Sequence, residues 1–187
     1  MVVKRISAPL TDQVILKLKS GDNVFISGVI YTARDSAHKK LVELLQKNEI
    51  PPFLLTGQII YYVGPTPAKP GRPIGSAGPT TSGRMDAYTP ALLEKGLKAV
   101  IGKGSRNAVT AKALQKYKGV YLAATGGAGA LLARTIREAE IVAYPELGPE
   151  AIYRLIVEDF PATVINDAHG NDLYEQGRQL YAINNSL

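Results

Sequence analysis

Cysteine is absent from this sequence. That excludes disulfides, thiol nucleophiles and any iron–sulfur cluster ligated within the chain. Histidine is nearly absent: His38 and His169 stand far apart with no HExxH spacing, so no metal site built by this chain alone is expected. No apolar stretch approaches the roughly 20 residues that span a bilayer, and no membrane association is expected. The opening MVVKRISAPL lacks the apolar core of a secretory signal. The expectation is a cytoplasmic chain.

What is present is an ordinary globular composition. The hydrophobic fraction is 45%, enough to bury a real core, and 187 residues suit one compact domain spanning 1–187. The net charge of +6 is unevenly spread. Residues 1–136 hold 19 Lys+Arg against 7 Asp+Glu, whereas residues 137–187 hold 3 against 9. A positive body with a negative tail points to an anionic ligand in the first part. Nucleic acid is one such anion, and a small carboxylate or phosphate is another.

The order of elements reads as α/β. Ser20-Gly21-Asp22 is a turn leading into a strand over Val24 to Tyr31. A helix follows, capped by Asp35 or Ser36, with Ala37, Leu41, Leu44 and Leu45 at helical spacing through Gln46. FLLTGQIIYYVG gives strand-like runs on either side of Gly57. Residues 64–83 form a long loop dense in proline and glycine; flanked by regular elements, it reads as a built, functional loop. Thr89-Pro90 caps a helix that Gly96 closes. KAVIGKGS is a strand entering a turn, Asn107 to Tyr117 a helix, and GVYLAAT a strand. TGGAGALLARTIREAE reads as a turn into a helix, and the tail as two extended segments with turns at Asp159-Phe160-Pro161 and around Gly170. Strand-rich ends argue against a simple doubly wound sheet.

Two glycine turns invite a nucleotide reading, and both fail it. Gly102-Lys103-Gly104-Ser105 puts glycine after the lysine and has none five positions before Gly102, so it is not GxxxxGK[ST]. Gly126-Gly127-Ala128-Gly129 has Leu132 where GxGxxG needs its third glycine. What survives is either an anion site at backbone N–H groups beside Lys103 or merely a tight turn with an exposed lysine. GPTTSGRMD, residues 78–86, offers more. Arg84 presents a planar fork that matches a carboxylate bidentately, and Thr80, Thr81 and Ser82 add hydroxyl donors. Arg34, just after the first strand, could supply a second fork. Two such cations at opposite ends of a pocket suit a short dicarboxylate.

The run GPTTSGRMDAYTPALLEKGLKAVIGKG resembles the signature of the β subunit, or C-terminal domain, of class I iron–sulfur fumarases and the related L(+)-tartrate dehydratases. GVIYTARDSAHKK, LAATGGAGALLA and VEDFPATVINDAHGND continue the likeness in order, over nearly the whole chain. The resemblance implies a three-layer swivelling β/β/α domain and reversible hydration of fumarate to (S)-malate. It implies a [4Fe–4S] cluster whose three cysteines come from a partner α subunit, and a hetero-oligomer such as a dimer of α–β pairs. By the same resemblance Arg34, Arg84 and Lys103 hold substrate carboxylates, and Thr80 stands at the carbon that loses its proton, either as base or as a positioning hydroxyl.

Asp35, His38, Thr81 and Asp86 are candidate supporting residues. Asp35 is expected to cap a helix or orient Arg34, and His38 to touch substrate, meet the subunit boundary or serve structure. His169 is expected to be turn chemistry. A basic nucleic-acid module is the distant alternative. Residues 94–118 hold seven Lys+Arg and one acid, but only Tyr117 could stack on a base, so no nucleic-acid partner is expected.

Overall fold

The computed structural model describes residues 3–182. In chain order the elements are β1 (Val3–Ala8), α1 (Asp12–Ile15), β2 (Asn23–Thr32), α2 (Asp35–Gln46) and β3 (Ile59–Tyr61). A 3-10 turn (Ser82–Met85), α3 (Thr89–Glu94), β4 (Ala99–Gly102), α4 (Ala108–Lys116) and β5 (Val120–Ala123) come next. The chain then runs through α5 (Gly129–Ala133), β6 (Ile136–Ala143), a 3-10 segment (Pro145–Glu150), β7 (Ile152–Asn166) and α6 (Leu173–Tyr181).

The strands form a sheet in the order β1-β2-β3-β4-β5-β7-β6. Strands β1 to β5 are mutually parallel. The long strand β7 runs antiparallel to β5, to β6 and also to β2. The pairing of β7 with both β2 and β5 closes β2-β3-β4-β5-β7 into a small barrel, with β1 and β6 as flanking strands. The fold is thus a mixed α/β sheet with barrel-like closure.

Alternation within each central strand explains why both faces are covered. Ile59, Tyr61, Ala99, Ile101, Val120 and Leu122 enter one core cluster with Val24, Ile26, Phe160 and Val164. Their neighbours Ile60, Tyr62, Val100 and Tyr121 enter a second cluster with Ala37 and Leu41 of α2, Leu92 and Leu93 of α3, and Leu114 of α4. Strands buried on both faces read as continuous apolar runs, as IIYYV and KAVIG do. Each fully buried Ile or Leu contributes roughly 1.5–3 kcal/mol, so the two clusters hold the elements against one another firmly.

Several expectations are corrected. Residues 136–143 form strand β6 rather than continuing a helix, which stops at Ala133. The tail is one strand of 15 residues rather than two segments; Asp159, at φ 52°, bends it without ending it. Opposite lies an irregularity of β2 between Ile26 and Gly28, where Gly28 has φ 102° and a Cβ would stand 2.7 Å from the Ala8 carbonyl oxygen. Helix α6 follows, with Asp172 accepting hydrogen bonds from the N–H groups of Tyr174 and Glu175. Phe53 and Leu55 are buried loop residues rather than strand. The cap of α3 is Tyr88, with Thr89 already helical.

The loop 64–83 is built. Thr66 N–H donates to Ser76 O at 3.0 Å, Ser76 N–H to Thr66 Oγ1 at 2.8 Å, and Ala77 N–H to Gly129 O at 3.1 Å. Tyr61 OH donates to Ala77 O at 2.6 Å from inside the core. After Pro79, residues 80–82 lie alongside the end of β4, held there by backbone hydrogen bonds.

Candidate active site

Because β2 to β5 run in parallel, the residues that follow them emerge at one end of the sheet: Arg34, Gly64, Lys103 and Gly126. In folds with parallel strands, open or closed into barrels, ligands bind outside the carboxyl ends of the strands. The loop's exit adds Thr80 to Arg84 to the same edge. Thr80 N–H donates to Tyr62 O at 2.6 Å, Lys103 N–H to Thr80 O at 3.2 Å, and Ser82 N–H to Lys103 O at 2.8 Å. Thr81 and Lys103 pair as parallel neighbours, and Lys103 Nζ donates to Thr81 Oγ1 at 3.3 Å. The Thr80 hydroxyl makes no hydrogen bond within the described residues.

Arg84 sits in the 3-10 turn and is about half exposed. Its Nε–H donates to Asp35 Oδ1 at 2.8 Å, leaving the terminal nitrogens of the guanidinium directed elsewhere. Arg34 is the cap residue of α2 and reaches the same carboxylate, Nη2 to Asp35 Oδ2, at 3.5 Å. The two arginines are therefore joined through Asp35 rather than set at opposite ends of a pocket. Asp35 itself makes no side-chain cap; it occupies the first turn of α2, where a carboxylate complements the helix dipole. The N-terminal N–H of Ser36 is capped instead by Glu150, from the 3-10 segment before β7, at 2.8 Å. Glu150 also stands 3.6 Å from Arg34 Nη2. Nothing in the sequence near Glu150 announces that role.

The remaining candidates go inward. Asp86 accepts the Nε–H of Arg106 at 2.7 Å and the N–H of Asn107 at 2.9 Å, and so fixes the start of α4. The Arg106 side chain is fully buried, donates to Thr89 Oγ1 at 2.8 Å and lies against the rings of Tyr62 and Tyr121. In the sequence Arg106 belongs to a basic stretch and carries no sign of burial. Two other cations of that stretch, Lys98 and Lys118, pair with Asp12. His38 is buried; its Nδ1–H donates to Arg34 O at 2.9 Å, which leaves Nε2 without a partner. Burial pushes its pKa down to about 4, so the ring is neutral at pH 7 and supports the Arg34 backbone. His169 closes a turn in which Asp167 accepts its N–H.

The edge is therefore an open rim of two guanidinium groups, one ammonium and several hydroxyl and backbone donors. A profile described as Fumarase C-terminus matches residues 2–177. This chain belongs to the fumarase C-terminus family.

Among its relatives is the class I, anaerobic fumarate hydratase of Escherichia coli (strain K12), 44% identical over 153 residues, 81% of this chain and 28% of that protein. A putative class I fumarate hydratase of Geobacillus stearothermophilus is 43% identical over 175 residues, 91% of this chain and 33% of that protein. A putative L(+)-tartrate dehydratase subunit beta of Methanocaldococcus jannaschii is 42% identical over 185 residues, 95% of each chain. The chain thus spans about a third or less of the fumarate hydratases and nearly all of the tartrate dehydratase subunit. Among the described residues no helix is long and apolar enough to cross a membrane, and no group of three His, Asp or Glu is placed to hold a metal ion.

Proposed function

We propose that this chain is the β-type half of a class I fumarate hydratase, active with a cysteine-bearing α subunit in the reversible hydration of fumarate to (S)-malate. The observation that carries the reading is the joining of Arg34 and Arg84 on Asp35, beside Thr81 and Lys103, at one end of a parallel sheet. Fumarate is a dianion, and fixed cations in a site that excludes water bind it most strongly where negative charge builds during reaction. In isolation the rim is open, as half of a shared site would be.

The residues present do not fit a metal cluster: the chain has no cysteine, and Asp35 and Glu150 are engaged by arginine. The [4Fe–4S] cluster that the family resemblance implies would, in this proposal, be held by the α subunit and would supply Lewis-acid chemistry there. This chain's share is electrostatic. Arg34 and Arg84 grip one carboxylate region, and Lys103 neutralises charge as the adjacent carbon loses its proton. Thr80, whose hydroxyl is unengaged, positions that carbon or relays its proton. We infer also that residues 1–187 act as a single catalytic domain of the swivelling β/β/α type, with the two core clusters on either side of the sheet supporting three layers. A cytoplasmic assembly of α–β pairs completes the reading.

A second reading, the β subunit of L(+)-tartrate dehydratase, is favoured by the relative that matches end to end. One hydroxyl on the substrate separates the two. Co-expression with a cysteine-bearing partner, followed by assays on fumarate, malate and tartrate, decides between them. Fumarate and malate turnover is expected, reduced by on the order of 10²–10³ in kcat by Arg84→Ala. Turnover of tartrate alone overturns the choice of substrate. Full activity in Arg84→Ala reduces the chain to a structural subunit, and salt-sensitive DNA binding without any hydratase activity would favour a nucleic-acid module.

A further inference from the structure

One cavity of the protein is lined by neither Arg84 nor Lys103. It measures about 600 Å³ and opens between the proline-rich loop and the end of α5. Lys69 and Arg72 line it from the loop, and Arg134 and Arg137 from the opposite wall, while no Asp or Glu lines it. Arg137 pairs with Glu158 at 2.7 Å. Lys69, Arg72 and Arg134 have no ion-pair partner among the described residues.

Both walls are fixed. On the loop side Arg72 N–H donates to Lys69 O at 3.0 Å, a turn that sets the two cations in register. The stem is tied by the Thr66–Ser76 bonds, and a Cβ at Gly75 would overlap Thr66 and the Pro67 carbonyl, so the backbone there is close-packed. On the other side Arg137 Nη1 donates to Arg134 O at 3.3 Å, holding the corner between α5 and β6. Ile74, Ile136, Ala133 and Pro73 supply apolar surface between the walls. Lys69, Arg72 and Arg134, which line one hollow without an acidic partner there, give it a positive field that favours an anion. The size is that of a small-molecule site, with apolar lining and a few oriented charged groups. Three unpaired cations, two of them arginine forks, match the several charges and oxygens of a phosphate chain better than a lone carboxylate.

We propose that this cavity is a second anion site, taking a small molecule that bears a polyphosphate chain, of the nucleoside triphosphate type. It differs from the rim in position and in every residue. The loop that walls the cavity also leads directly into Thr80, so an occupant would bear on the rim through the loop.

The test titrates the full chain with inorganic tripolyphosphate, ATP and citrate by calorimetry at 0.1 M salt, comparing three variants. Saturable binding of tripolyphosphate and ATP is expected, with citrate at least tenfold weaker. The Arg72→Ala/Arg134→Ala double variant, whose substitutions lie at the surface, is expected to weaken ATP at least tenfold. Arg84→Ala and the control Lys112→Ala/Lys116→Ala leave it unchanged. ATP binding tighter than tripolyphosphate identifies the organic body as part of the ligand, and equal binding identifies the phosphate chain alone. The proposal is overturned by no saturable binding at millimolar concentration, by citrate binding as tightly, by equal loss in Arg84→Ala or in the lysine control, or by no loss in the arginine double variant. None of these outcomes depends on hydratase activity.

Discussion

Asp35 accepts the Nε–H of Arg84 at 2.8 Å across 49 residues of chain, and the same carboxylate touches Arg34. One negative charge thus holds two guanidinium groups that would otherwise repel. Binding Arg84 through Nε leaves its terminal nitrogens for a ligand, so Asp35 sets the aim of the fork. Asp35→Asn keeps an acceptor but removes the charge. We expect kcat/KM of the assembled enzyme to fall about tenfold, mostly through KM, because a looser fork binds the dianion less well. Steady-state kinetics on the variant pair checks this; an unchanged KM would remove Asp35 from the positioning of Arg84.

Beneath that rim lies the buried pair of Arg106 and Asp86, at 2.7 Å. Arg106 joins the loop's exit to α3 through Thr89 and to the sheet through the ring of Tyr121. Removing one partner of a buried pair strands the other charge, at a cost of about 3–5 kcal/mol. Arg106→Met is therefore expected to lower the unfolding free energy of the chain by that amount, whereas the double variant Arg106→Met/Asp86→Leu recovers part of it. Urea unfolding of the single and double variants reads both values.

How far the sequence discloses this arrangement depends on what kind of signal each element leaves. Strand β2 is legible from its turn and strand-forming run, helix α2 from its apolar period alone, since its expected cap is not used, and helix α4 from period and cap together; Asn107 accepts from Thr110 N–H as its position suggests. Strand β6 is not: REAE at its start is made of helix-favouring residues, and the pairing with β7 overrides their propensity. Strand β7 contains Pro161 and a left-handed Asp159, both of which argue for a turn, yet the ladder with β2 carries the chain across them. At the site, the cations Arg34, Arg84 and Lys103 are visible as residue types. The contact of Arg84 with Asp35 spans 49 positions, that of Arg106 with Asp86 spans 20 and that of Glu150 with Ser36 spans 114, and no local period encodes any of them.

Gly102 ends β4 where the loop's exit crosses it. A Cβ there would overlap Ser82 Oγ and stand 2.9 Å from Tyr62 Cδ2 and 3.2 Å from Thr80 O. Ser82 could rotate, losing its 3.0 Å hydrogen bond to Tyr121, but the ring and the carbonyl could yield only by moving the backbone. Gly102→Ala should therefore cost about 1–3 kcal/mol, typical of overpacking, and displace Thr80 and Thr81 together. Crystals of the variant, or amide shifts at residues 80–84, measure the displacement; a variant as stable as the parent with unshifted amides contradicts the close approach.

His38 gives the fold a dependence on pH that its exposed charges do not. Burial holds its pKa near 4, below the ordinary 6.5, with the charge of Arg106 acting in the same direction. Between those values the unfolded chain takes up a proton that the folded chain refuses. The stability owed to the neutral ring is thus complete above pH 6.5 and is lost as pH falls from 6.5 to 4, by up to about 3 kcal/mol. His38→Asn offers an amide in place of the Nδ1–H toward Arg34 O but no group that titrates in this range. The variant should be less stable at pH 7, because the ring's contact with Tyr62 is gone. Its further decline between pH 7 and pH 4.5 should be smaller than the parent's by about 2–3 kcal/mol. Urea unfolding at pH 7, 5.5 and 4.5 separates the two effects: parallel curves for parent and variant would mean that the ring accepts its proton in the folded chain as readily as in the unfolded one.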